Sequence, residues 1–242
     1  MMVKAVAFDF GGTLFSTGKM GTFTPQMCEA FISSLMDRGR LSLEHAESVY
    51  SSYTEAWRSR RARAESMPER EISSLDLLQS ALTAHRKTLA SAVAVEVLNS
   101  FHRVESELFL PLNGVQETLS ILHENGYRLC IVSNNPWSES IVASLRRFNI
   151  DNLFEEIVVS CDVGYRKPHA QLFNELVRRL DLKPSEVLFV GDSYPHDIET
   201  PKSMGMRTCL VDFEGRNKNS QLEDSTKADL FLTQFSELLS AL

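Results

Sequence analysis

A carboxylate at the end of an apolar run is the first chemical feature of this chain. Residues 3–14 read Val-Lys-Ala-Val-Ala-Phe-Asp-Phe-Gly-Gly-Thr-Leu, which puts Asp9 where a buried strand would open into a loop. Three further apolar runs end in polar groups. Residues 128–132 lead into Ser133-Asn134-Asn135, and residues 157–160 precede Gly164-Tyr165-Arg166-Lys167-Pro168. Residues 187–190 lead into Gly191-Asp192-Ser193-Tyr194-Pro195-His196-Asp197. Open α/β sheets bind ligands at the carboxyl ends of their strands, so these groups are expected on one rim. Asp9, Asp192 and Asp197 form an oxygen-rich set suited to Mg²⁺, which takes few carboxylates and keeps waters. A lysine and a hydroxyl opposite them suit a phosphoryl group.

Such groups need a scaffold to bring them together. The runs are short and rich in Val and Ile, as parallel strands buried on both faces are. Residues 207–211 are a fifth candidate. Residues 112–124, 138–149 and 169–181 carry apolar side chains at helical spacing, and the first of them stops at Asn125-Gly126. Alternating strand and helix predicts an α/β fold with a doubly wound parallel sheet. Residues 16–110 have no strand pattern. Thr24-Pro25 reads as a helix start, with Met27, Phe31 and Leu35 expected to share a face with Cys28, Ile32 and Met36. Further helices are expected from Ser42 to about residue 59, over 75–87 and over 90–107. The expected organisation is an α/β core, 1–15 and 111–242, interrupted by an all-helical insert, 16–110. Gly18 and Gly21 in the first crossing would absorb backbone rotation if the insert moves as a lid.

The four strand-end motifs, in this order and with a helical insert after the first, resemble those of the haloacid dehalogenase-like hydrolase superfamily with a type 1 cap. The resemblance spans essentially the whole chain. It implies a Rossmann-like core and a Mg²⁺-dependent phosphatase that hydrolyses a small phosphorylated metabolite through an aspartyl-phosphate. It also implies roles. Asp9 is the nucleophile and Thr13 orients it. Ser133, with Asn134 beside it, binds the transferring group, and Lys167 neutralises charge between nucleophile and phosphoryl oxygens. Asp9, Asp192 and the backbone carbonyl of Gly11 hold Mg²⁺, and Asp197 positions its waters. Covalent catalysis splits one hard step into two, while metal and lysine stabilise spreading charge.

Position 11 departs from the pattern. Phosphatases of this superfamily usually carry a second Asp there, which protonates the leaving group and later activates water. Losing a general acid/base costs about 10²–10⁴-fold. Some sugar-1-phosphate phosphatases of the superfamily are similar to this chain in having Gly at that place. Two alternatives follow from Gly11. One is a 2-haloacid dehalogenase, a subfamily that lacks the second Asp but has no use for a metal and typically lacks the acid matching Asp192. The other is a non-catalytic regulatory protein that binds a metal or ligand.

Composition narrows the partners. At 242 residues, 43% apolar and 24% charged, the chain is an ordinary globular sequence able to bury a core. A net charge of −7 argues against nucleic acid or an anionic membrane as partner. Cys28, Cys130, Cys161 and Cys209 form no CxxC pair, hence no disulfide framework or zinc site is expected. Three of the four lie in or beside apolar runs and read as small buried hydrophobes. No run approaches the ~18 apolar residues of a membrane span, and the N-terminal run is too short for a signal peptide. The expectation is a reduced, cytoplasmic protein. Other residues have plain readings. His169 and His196 read as loop residues, Phe23 and Trp57 as packing, and Arg58, Arg60, Arg61 and Arg63 as a solvated helix face. Trp137 is a candidate for the pocket wall, and Tyr165 and Arg166 for substrate contact.

Overall fold

A computed structural model describes residues 2–16, 22–66, 70–213 and 227–242, with no side chains described for 61–66. Gly18 and Gly21 of the expected hinge, and the side chains of Arg61 and Arg63, lie outside the described residues. Six strands form one parallel sheet in the order β3-β2-β1-β4-β5-β6. They are β1 Ala5–Phe8, β2 Arg128–Ser133, β3 Phe154–Val159, β4 Val187–Gly191, β5 Arg207–Val211 and β6 Leu230–Leu232. Side chains alternate across a strand. Val6, Phe8, Ile131, Leu188 and Val190 therefore pack on one face, and Ala5, Ala7, Cys130, Val132, Val187 and Phe189 on the other. Both faces being covered explains why the central strands are apolar throughout.

Between β1 and β2 the described residues form five helices, of which the first four are α1 Pro25–Asp37, α2 Leu43–Ser66, α3 Ser74–Ala84 and α4 Ser91–Ser106. Thr24 caps α1 by accepting from the Met27 N–H at 3.2 Å. Ser73 and Asp76 close a reciprocal capping box on α3. These four helices bury their own cluster, centred on Phe31, Tyr53, Leu78 and Phe101. The fifth, α5 Val115–Glu124, leads into β2, and after β2 come α6 Ser138–Arg147, the single turn α7 Ser160–Val163, α8 Ala170–Leu180, α9 Glu199–Ser203 and α10 Leu238–Ala241. They flank the sheet, which gives the doubly wound α/β architecture.

Several details differ from expectation. β3 begins at Phe154 rather than 157, because it is an edge strand and admits Glu155 and Glu156, which pair with Arg128 and Arg179. β6 is short and only partly buried, so it carries no apolar signature. α2 continues past 59 to Ser66. On α1 the buried stripe is Met27, Phe31, Ser34 and Leu35; Cys28 is half-buried and Met36 faces solvent, as the 3.6-residue period dictates for a narrow contact with the neighbouring helices. No helix among the described residues is long and apolar enough to cross a membrane.

Candidate active site

The sheet order reverses beside β1. β2 and β3 lie on one side of it, β4 to β6 on the other, and such a switch point opens a crevice at the carboxyl ends of the strands. The register pairs Phe8 with both Ile131 and Val190, so β1, β2 and β4 end nearly level. Asp9 leaves β1 with its N–H donated to the Val190 carbonyl at 2.9 Å. Two glycines let the other acids come close. Gly12 has φ 86°, and a Cβ there would lie 2.2 Å from Asp192 Oδ2. At Gly191, which ends β4, a Cβ would lie 2.4 Å from the Asp197 Cβ.

Lys167 is the centre of the charge arrangement. Its ammonium donates to Asp9 Oδ1 and to Asp197 Oδ1, each at 2.6 Å, and the side chain is only 2% exposed. Asn134 clamps the same residue from β2's loop: its Oδ1 accepts the Lys167 N–H at 2.7 Å, and its amide donates to the Lys167 carbonyl at 3.0 Å. Asp197 also accepts the Ser193 N–H at 3.1 Å. Burial pushes the Asp9 carboxyl up to about 6, with Lys167 pulling it down and Asp197 adding to the rise. Burial disfavours the Lys167 ammonium, but Asp197 and Asp9 outweigh it and hold the group above its usual value. Burial, with Lys167 and Arg166 nearby, holds the His196 imidazole below its usual value.

Asp9, Asp192 and Asp197 each offer a carboxylate oxygen within 4.8 Å of the others. An all-oxygen set with two buried acids fits a hard divalent cation, and a cation there would oppose the rise at Asp9. These groups line a cavity of about 180 Å³ together with Gly11, Ser133, Asn134 and Lys167. Every residue expected to act in catalysis, phosphoryl binding or metal binding thus lines it except Thr13, which is fully buried and whose hydroxyl has no hydrogen-bond partner among the described residues. Ser193 and His196 also line the cavity, with Ser193 Oγ and His196 Nδ1 2.8 Å apart. The signal for both was their place between Asp192 and Asp197 on one loop.

Trp137 does not line the cavity. Its indole N–H donates to Asn99 Oδ1 on α4 at 3.1 Å, and its ring stacks on His102 at 5.8 Å. Phe23 packs against Trp57, and Arg58 lies over the Phe23 ring at 5.0 Å. Arg60 pairs with Glu71 rather than facing solvent. Tyr165 is stacked between His169 and Arg70, at 4.2 Å and 4.7 Å.

The fold and this constellation define a class. The family model for haloacid dehalogenase-like hydrolases matches residues 3–205, and the chain belongs to that family of enzymes. The glyceraldehyde 3-phosphate phosphatase of Methanothermobacter thermautotrophicus is 29% identical over 217 residues, 88% of this chain and 87% of that protein. The phosphoglycolate phosphatase of Aliivibrio fischeri is 26% identical over 242 residues, 99% of this chain and 96% of that protein. Among solved structures, a 2-haloacid dehalogenase from Pseudomonas syringae aligns with a TM-score of 0.65 at 20% identity, covering 99% of this chain and 97% of that one. That likeness is one of fold.

Proposed function

We propose that the protein is a Mg²⁺-dependent phosphatase acting on a small phosphorylated metabolite through an aspartyl-phosphate, with residues 16–110 serving as a cap over the core formed by 1–15 and 111–242. The observation that carries this reading is the convergence of Asp9, Lys167, Asp192 and Asp197 on one small cavity beside Ser133. The two phosphatase relatives, aligned over most of this chain, support it. So does size. Pockets for whole small molecules run to about 300–1,000 Å³, whereas about 180 Å³ holds a phosphoryl group and leaves the rest of the substrate facing the insert.

In this reading an Asp9 oxygen attacks phosphorus and the ester P–O bond breaks. Water then cleaves the aspartyl-phosphate, releasing phosphate and restoring Asp9. Lys167 holds the Asp9 carboxylate in place and faces the charge that spreads over the phosphoryl oxygens. The Ser133 hydroxyl donates to that group, while Asn134 fixes the loop that carries Lys167. Asp9, Asp192 and the Gly11 carbonyl would hold Mg²⁺ and Asp197 its waters. When bound, the ion neutralises charge on the transferring group and its oxygens.

A panel of phosphorylated metabolites, assayed with and without Mg²⁺ and with 2-chloropropionate alongside, tests the proposal. Phosphate release that needs Mg²⁺, without chloride release, is the expected result. Asp9→Asn should lower turnover by at least about a thousandfold, since removing a nucleophile costs on this scale or more. Chloride release without metal, or an Asp9→Asn protein at full turnover, would overturn it.

A further inference from the structure

Glu71 lies in the insert, between α2 and α3, yet its carboxylate reaches the core. Oε1 accepts from Arg60, through Nε at 3.1 Å and through Nη2, and from the Ile72 N–H at 2.9 Å. Oε2 accepts from the Ser160 hydroxyl at 2.5 Å, across 89 residues of sequence. The Glu71 side chain has no exposed surface, and its N–H donates to the Gly164 carbonyl at 3.2 Å. Ser160 is itself fully buried at the end of β3, and its Oγ accepts the Asn135 N–H at 2.9 Å. Asn135 follows Asn134, the clamp on Lys167. A continuous hydrogen-bonded path therefore runs from the insert to both loops of the cavity.

A buried carboxylate is tolerated where it is paired and fully hydrogen-bonded. Glu71 meets that condition only while insert and core are docked. Arg60 and Ile72 belong to the insert, whereas Ser160 and Gly164 belong to the core. Undocking removes the donor from Oε2. The Ser160 hydroxyl then has the Asn135 carbonyl, 3.2 Å away, as its other acceptor. The Ser160 proton thus has two discrete partners, one in the insert and one in the Asn134–Asn135 loop.

We propose that Glu71 is a positioning residue that couples docking of the insert, through Ser160 and Asn135, to the placement of Asn134 and Lys167. The proposal rests on the phosphatase reading above. Its test is a double-mutant cycle on Glu71→Ala and Ser160→Ala with Glu71→Gln beside it, read as turnover of p-nitrophenyl phosphate with Mg²⁺. Each Ala variant should lose about 10- to 100-fold in kcat, the scale on which small misplacements act, with KM little changed. Glu71→Gln should recover most of the loss, because its single amide oxygen can stay on Arg60 and Ile72 while its NH2 donates to Ser160 Oγ. The double variant should be no slower than the worse single one, as for two members of one path. A role in stability alone would lower Tm and leave kcat of the folded protein unchanged. That outcome, or losses that multiply in the double variant, would overturn the proposal. If the wild type hydrolyses no phosphate ester, the phosphatase reading fails separately, and amide exchange decides the coupling. The Lys167 N–H, remote from Glu71, should exchange faster in Glu71→Ala and in Ser160→Ala than in wild type, and unchanged rates in both would overturn the coupling.

Discussion

At position 11 the chain passes Asp9 without a side chain, and among the described glycines the left-handed backbone of the Gly-Gly pair falls on Gly12, at φ 86°, not on Gly11. Gly11 nevertheless lines the cavity. In the proposed reaction an acid at that point would face the bond being broken, and its absence would leave departure of the alcohol unassisted from there. Substrates should therefore divide by leaving group. Aryl and acyl phosphates need little protonation as they depart and should turn over best, whereas alkyl phosphates should be slow. Gly11→Asp should raise alkyl-phosphate turnover by about 10²-fold or more and flatten the dependence on leaving-group pKa. Since Gly11 does not use the left-handed region, the substitution carries no backbone penalty of the kind that would fall on Gly12. A melting temperature taken on the same sample separates a folding defect from a chemical result. A stable Gly11→Asp protein with no gain on any alkyl phosphate would refute the idea that position 11 limits the reaction.

Elements explain what the sequence disclosed and what it hid. Asp9, Ser133, Lys167 and Asp192 were readable because each directly follows an apolar run or lies in the loop beyond it, and the central strands β1, β2 and β4 are buried on both faces. The edges were not. The start of β3 is masked by Glu155 and Glu156, and β6 by its exposure, since an edge strand need not be apolar. Glu71 was invisible because its core partner lies 89 residues away, and no local spacing encodes such a contact. The same holds inside the insert, where Ser74, His102 and Glu105 meet from α3 and α4. His102 Nδ1 is 2.6 Å from Glu105 Oε2, and Nε2 is 2.9 Å from Ser74 Oγ. This order of contacts is that of a hydrolytic triad, yet Ser74 has no exposed surface and its N–H is bound to the Pro136 carbonyl at 2.9 Å. No substrate reaches it, so the network serves cohesion. Because a carboxylate only accepts, His102 Nδ1 carries the proton in that contact. Glu105→Ala would leave that buried N–H without a partner, at a cost of about 1–3 kcal/mol. For a chain of this length the Tm should fall by about 2–12 °C, with turnover at low temperature retained. A Tm equal to wild type would show that the network contributes nothing.

At the scale of the molecule, two kinds of contact among the described residues join the proposed insert to the proposed core. The two chain crossings pair with each other: the Ser16 N–H donates to the Leu110 carbonyl at 2.8 Å, the Leu112 N–H to the Leu14 carbonyl at 2.9 Å, and Phe15 lies opposite Pro111. Where they are described, the crossings form a short paired ribbon, which can twist without unpairing. The second kind is a seam. It includes the Ser74 N–H to the Pro136 carbonyl at 2.9 Å, the Trp137 indole to Asn99 at 3.1 Å and the Glu71 N–H to Gly164 at 3.2 Å. Every bond of the seam must break if the insert swings away, and none of the ribbon bonds need do so. Local opening free energies are read by amide exchange, so the two sets should separate in that measurement. In ligand-free protein the Ser74 and Glu71 amides should exchange faster than those of Ser16 and Leu112, and Leu188 in β4 should be slowest. Adding Mg²⁺ with orthovanadate, a mimic of the transferring phosphoryl group, should slow Ser74 and Glu71 selectively, because a filled cavity favours the docked arrangement. Glu71→Gln should blunt this response, since a neutral amide bonds Ser160 more weakly than the carboxylate does. If Ser74 is as protected as Leu112 without ligand, and ligand changes neither, the insert is a fixed part of the fold and substrate must enter a cavity that never opens.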